Sequence, residues 1–254
     1  MKKYILFILF SINISLTFSQ KLQGFVEYKM EFYGPPLLKT TLYFTENEST
    51  FTSNKFYSRE DRMYTEANKI VMVEGDTIGK IVYKNLVTKH ITSRQFIRNM
   101  ALVIEDSLSE IDWELSENIK DIGGYKCQKA ITNFKGREYE VWFAPDIPIS
   151  TGPWKLWGLP GLILEGRDKT SQVIFHFSKL NLGYINMLKA KFPYNYERPW
   201  LLGKVVSNTN FLLLKKKDNK KVRQQTQSLD LEGGATISNF ETQWIEKEEG
   251  DEEN

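Results

Sequence analysis

The chain is poor in the residues that do metal and nucleophile chemistry. It has one cysteine, Cys127, and two histidines, His90 and His176, in 254 residues. A lone cysteine excludes an internal disulfide, so stability has to come from a core. Three such side chains far apart in sequence form no zinc-ligand spacing and no local thiol–histidine signature, which points to no metal and no cofactor. An excess of charge is also missing. The 34 basic and 32 acidic residues become 32 against 32 once Lys2 and Lys3 are set aside, so global attraction to nucleic acid is not expected. Long hydrophobic runs are lacking too. The apolar block Tyr4 to Phe10, continued by Ile12, Ile14 and Leu16, is broken by Ser11, Asn13 and Ser15. A spanning helix needs about 20 predominantly apolar residues.

That block reads instead as a secretory signal. Lys2 and Lys3 give a basic start, and Thr17-Phe18-Ser19 supplies small residues at the −3 and −1 positions of a cut before Gln20. The expected organisation is a signal peptide at 1–19, a β-rich domain at 20–245 that becomes less regular from about 183, and an acidic, disordered tail at 246–254. No transmembrane span is expected after cleavage.

What is abundant is strand pattern. Leu22 to Tyr33, Thr40–Thr45, Ser49–Ser53, Ile70–Glu74 and Ile78–Tyr83 are strand-like runs separated by turn formers, the first with room for a bulge or twist. Arg94–Ile104 fits either a helix or a strand, and Tyr57–Lys69 a loop or short helix. Ile111, Trp113 and Leu115 alternate as one face of a strand. Tyr125–Thr132 and Arg137–Phe143 predict a hairpin around Lys135-Gly136. Leu162–Glu165 and Gln172–Ser178 predict another. Pro193–Pro199 reads as a loop. The fold class expected is mainly β: one antiparallel sheet domain, a curved sheet or half-barrel or sandwich, with an irregular C-terminal region.

Between those hairpins lies Asp146–Glu165, which sets Pro148, Pro153 and Pro160 with Gly152, Gly158 and Gly161 around Trp154 and Trp157. Leu159-Pro160-Gly161-Leu162 has proline and glycine where a type II turn needs them, so Gly158, Pro160 and Gly161 are read as a structural turn. Trp154, Leu156, Trp157 and Leu159 are the candidate ligand- or partner-binding residues, an apolar patch on a rigid loop. The competing reading has them plug one end of the core.

Tyr125-Lys-Cys-Gln-Lys-Ala130, Val141-Trp-Phe-Ala-Pro145, Gly152-Pro153 and Gly158-Leu-Pro-Gly-Leu-Ile163 together resemble the GLPGLI family of exported Bacteroidota proteins. That resemblance implies export, a β-rich fold and a Gram-negative envelope setting, in the periplasm or at the envelope. It supplies no catalytic residue.

The remaining polar groups offer weak alternatives. Cys127 with a histidine, or the carboxylates Glu105/Asp106, Glu138/Glu140 and Asp168, would be the resources of a hydrolase. No nucleophile signature surrounds them, and no residue is assigned as catalytic. The charge run Lys215–Arg223 reads as a solvated turn, with phosphate or lipid headgroups as its sharper alternative. The expected function is an exported, non-enzymatic envelope accessory or binding protein, its partner an envelope protein or an apolar ligand. A hydrolase and a purely structural envelope component are the alternatives.

Overall fold

Residues 22–32, 37–53, 63–66, 69–72, 76–98, 100–183 and 202–227 are described by a computed structural model. The segments expected to be a signal peptide (1–19), a loop (Pro193–Pro199) and a disordered tail (246–254) lie outside the described residues. The strands are β1 (Gly24–Phe32), β2 (Leu38–Phe44), β3 (Glu48–Ser53), β4 (Met63–Glu66), β5 (Lys69–Met72), β6 (Lys80–Asn85), β7 (His90–Ile97), β8 (Met100–Ser107), β9 (Glu114–Ile122), β10 (Tyr125–Phe134), β11 (Arg137–Ala144), β12 (Leu162–Asp168), β13 (Val173–Leu182) and β14 (Lys204–Ser207). Among the described residues one helix, α1, spans Asn208–Gln227.

The turns follow local chemistry. Lys135-Gly136 (φ 50° and 72°) joins β10 to β11, and Gly123-Gly124 (φ 61° and 86°) joins β9 to β10. Both have the two left-handed residues of a tight type I′ hairpin. The segment Arg94–Ile104 resolves as the end of β7, a turn at Arg98 (φ 54°) and the start of β8. Part of Tyr57–Lys69 is strand, because β4 pairs with β5.

Twelve strands form one open sheet in the order β14-β8-β7-β6-β3-β2-β1-β13-β12-β11-β10-β9; only the β14–β8 pair is parallel. Consecutive in sequence, β8 and β9 lie ten strand positions apart in this order. In a flat sheet that is about 48 Å. The connector 108–113 spans at most about 25 Å from Ser107 to Glu114. The sheet must therefore curl strongly, bringing its two ends together without closing. Ile111 and Trp113, read as strand from their alternation, belong to this connector.

Curling creates an inner face. Val26, Tyr28, Leu42, Phe44, Phe51, Val82, Val141, Phe143 and Phe175 line it in one buried cluster. The far end of the same face, Ile97, Leu102 and Ile104, is covered by Phe211 of α1. Two buried arginines, each paired with a carboxylate, fix the periphery. Arg137 donates to Asp168 Oδ2 (2.7 Å), whose carboxylate also accepts from Thr170 and from the Val173 amide, and so ties the β10–β11 turn to the β12–β13 turn. Arg94 donates from Nε to Leu202 O (2.6 Å) and from Nη2 to Asp76 Oδ2 (2.7 Å), anchoring the chain that leads into β14.

In the C-terminal region the described residues 202–227 hold a strand and a helix of 20 residues, and the helix corrects the reading of Lys215–Arg223 as a solvated turn. Nothing in Asn208–Gln227 breaks a helix, and Leu, Lys, Gln and Arg are good formers. Ser207 Oγ accepts from the Asn210 amide as an N-cap (3.3 Å). The signal was available; the clustered rather than periodic apolar residues concealed it.

Candidate functional site

The connection from β11 to β12, residues 145–161, runs across the curled inner face instead of out into solvent. Its backbone folds on itself: the Leu162 amide donates to Ile147 O (3.0 Å), the Ile163 amide to Thr151 O (3.0 Å) and the Leu156 amide to Pro153 O (3.1 Å). Strands far away in sequence hold it. Tyr28 Oη of β1 donates to Ile163 O (2.7 Å), and Ser49 Oγ of β3 bonds Thr151 Oγ1 (2.7 Å).

The decisive contact comes from β6. Lys84 is fully buried, and its Nζ donates to Gly152 O (2.7 Å) and Leu156 O (2.8 Å). Burial holds its pKa well below the ordinary lysine value, because the charged form has lost its water. A buried ammonium or amine needs acceptors, and two loop carbonyls supply them. Sequence reasoning missed Lys84, which stands at the polar-looking end of its strand.

The four predicted binding side chains, Trp154, Leu156, Trp157 and Leu159, are all placed in the buried core cluster. Trp154 packs edge-on to Phe134 (5.8 Å between centroids) and tilted against Tyr139 (6.2 Å). Trp157 binds the connector that spans the sheet's two ends. Its Nε1 donates to Ser109 O (2.8 Å), and its own carbonyl accepts from Trp113 Nε1 (2.9 Å). Lys89 Nζ sits 4.3 Å from the Trp157 ring centroid. In this arrangement the indoles close the mouth of the curled sheet from within.

The turn reading needs correction. Gly161 does not have the left-handed φ of a type II turn. It is glycine because a Cβ would lie 2.3 Å from Ala144 O. Gly152 is held similarly: its Cβ would fall 2.7 Å from Ile163 Cβ. Among these three, only Gly158 (φ 98°) uses glycine's conformational freedom, and Pro160 is exposed.

The polar candidates are not brought together. Cys127 is buried, its Sγ against Tyr125 O (3.5 Å), and burial pushes its pKa up to about 12. His176 pairs with Glu31 (2.9 Å). His90 Nε2 is buried at the start of β7 without a hydrogen-bond partner. Glu138 and Glu140 share the outer face of β11, as their spacing predicts, with Lys169 (2.8 Å) and Lys129 (3.0 Å). For Asp168, burial alone would raise the pKa, but the bonds from Thr170, Val173 and Arg137 together lower it. Asp106 accepts from the Ser107 amide (2.8 Å), while Glu105 lies exposed on β8. Among the described residues no group of three or more His, Cys, Asp or Glu is placed to hold a metal ion.

Accessible concave space lies instead where the loop leaves β11. Pro145 and Asp146 wall a cleft of about 510 Å³ with Ile119, Lys120 and Asp121 of β9 and Lys126 and Gln128 of β10. Lys120 pairs with Glu165 (2.6 Å) and lies 4.5 Å from the Trp142 ring centroid. β9 is the terminal strand, pairing with β10 alone among the described residues. Its Leu115 and Ile119 are 52% and 58% exposed. Sequence reasoning reached only Glu114 and Leu115 of this strand, since the rest is mostly polar.

Comparison with known proteins gives a fold and a short family match. Residues 132–165 match a family described as a protein of unknown function (Porph_ging). No curated protein matches the chain. Among solved structures, PNGF-II in its P21 crystal form superposes with a TM-score of 0.53 at 13% identity, covering 79% of this chain and 34% of that one. Its C2 form gives 0.50 at 14% identity, covering 78% and 33%. The chain thus spans about a third of the length of those chains, and the likeness is one of fold. Among the described residues no helix is long and apolar enough to cross a membrane.

Proposed function

We propose that this chain is an exported, non-enzymatic accessory or binding protein of the cell envelope, of the GLPGLI group its loop resembles, acting in the periplasm or at the envelope. Support for export comes from the basic start, the short apolar block and the Thr17-Phe18-Ser19 site. In this reading the loop is scaffold, and recognition occurs beside it at the β9 edge. The observation that carries it is the terminal strand β9, with Leu115 and Ile119 exposed beside the cleft at Pro145–Asp146. A sheet edge offers a row of backbone donors and acceptors to an extended partner segment, and the cleft offers apolar and charged lining for its side chains.

The test is capture of envelope proteins on the mature chain, wild type against Ile119→Asp/Lys126→Glu and Trp157→Phe. The cleft variant is expected to lose the captured partner while keeping its melting temperature within a few degrees, since both side chains are at the surface. Trp157→Phe is expected to keep the partner and lose about 1–2 kcal/mol of stability with its buried indole donor. The same partner on the cleft variant, with loss on Trp157→Phe, would return recognition to the loop.

A further inference from the structure

We infer that the exposed face of α1 is a docking surface for an anionic lipid bilayer. Lys216, Lys217, Lys220 and Lys221 are all exposed. At 100° per residue they fan across one side of the helix, with Leu213, 61% exposed, on the same arc three and four residues before Lys216 and Lys217. The opposite side is committed to the fold: Phe211 and Lys215 are buried, and Leu212 and Leu214 pack on the Ile97, Leu102 and Ile104 cluster.

Among the described residues the charge on this face has no acidic partner. Asp218, the single acid of the helix, is bound by Arg98 of the β7–β8 turn (2.7 Å). None of the four exposed amines has an ion-pair partner among the described residues. Lys216 with Lys220, and Lys217 with Lys221, are like charges at i,i+4, which work against the helix that displays them. A negatively charged surface reverses that repulsion, and a flat one meets all four amines at once. Leu213 between them reaches the headgroup boundary, as apolar residues do on interfacial helices. A small anion would use one or two lysines and leave Leu213 in water, so charge and apolar tip together favour the bilayer.

The experiment is co-sedimentation of the full mature chain with vesicles of phosphatidylcholine alone or containing about 30 mol % phosphatidylglycerol, at low salt and at about 0.5 M salt. Binding is expected on the anionic vesicles only and is lost at high salt. Lys216→Glu/Lys220→Glu is expected to weaken it at least ten-fold, and Leu213→Asp several-fold, with unchanged helix content by circular dichroism. Lys217→Gln/Lys221→Gln, which removes charge without reversing it, should also weaken binding and keeps the test open if the first variant misfolds. Equal binding to neutral vesicles, variants that bind like wild type, or retention on soluble polyphosphate without vesicle binding would each overturn the proposal.

Discussion

Gly161→Ala is expected to destabilise the protein by at least about 3 kcal/mol, the upper end of what overpacking costs. The new Cβ would fall 2.3 Å from Ala144 O and 2.7 Å from Ala144 C, and both are backbone atoms of the paired strand. No side chain can rotate away. Relief requires separating Leu162 from Ala144, where the β11–β12 pairing begins, and shifting the Leu162 amide from Ile147 O. The same motif supplies its own controls. Gly158→Ala has more room, its Cβ 3.4 Å from Trp113 Nε1, and is charged mainly for φ 98°, about 1–2 kcal/mol. Exposed Pro160→Ala changes chiefly the unfolded chain, by less than about 1 kcal/mol. Urea denaturation of the three variants should return that order. A type II turn at 160–161 would instead make Gly161→Ala no worse than Gly158→Ala.

Lys84→Met is the second large effect. Methionine keeps the stem's bulk and removes the donors from Gly152 O and Leu156 O, two buried carbonyls at about 1–3 kcal/mol each, for a net loss of about 2–4 kcal/mol. The loss should depend on pH in a particular sense. Burial lowers the folded-state pKa of Lys84, so between that value and the unfolded value of about 10.4 the unfolded chain binds more proton. Stability from this group therefore rises with pH through that window and levels above it. The difference between wild type and Lys84→Met should widen toward pH about 10 and shrink toward neutrality. Cys127, pushed up to about 12, and Tyr28, also raised by burial, act in the opposite sense. Both are present in each protein and cancel in the difference. A gap that narrows as pH rises would contradict the burial of this amine away from water.

Much of the fold was legible, and the reasons are local. Lys135-Gly136 and Gly123-Gly124 carry turn chemistry that acts over two residues, and alternation in Arg137–Phe143 reports one buried face. The mainly β, single-sheet class follows from such segments. What escaped depends on contacts distant in sequence. Lys84 is buried by a loop 68 and 72 residues later, and nothing in Tyr83-Lys84-Asn85 announces it. Gly161 has the residue type a type II turn demands, yet it is required by the approach of Ala144. Most of β9 hides because an edge strand exposed over most of its length need not alternate. Trp113 alternates with Ile111 and Leu115 but serves as a ligand of the Trp157 carbonyl. In each case the residue type was right for one local structure and was used by another.

The central claim is that the proline–glycine loop is an internal plug latched by Lys84. Native-state amide hydrogen exchange across 149–163 tests it most directly. The Thr151, Leu156 and Ile163 amides, bonded to Ile149 O, Pro153 O and Thr151 O, should exchange in wild type only as slowly as the strand core. In Lys84→Met the Leu156 amide should exchange faster by local opening, while amides of the β1–β2 pair keep core-like rates. Exchange of the three wild-type amides at the rate of an exposed loop, or at the same rate with and without Lys84, would contradict the account.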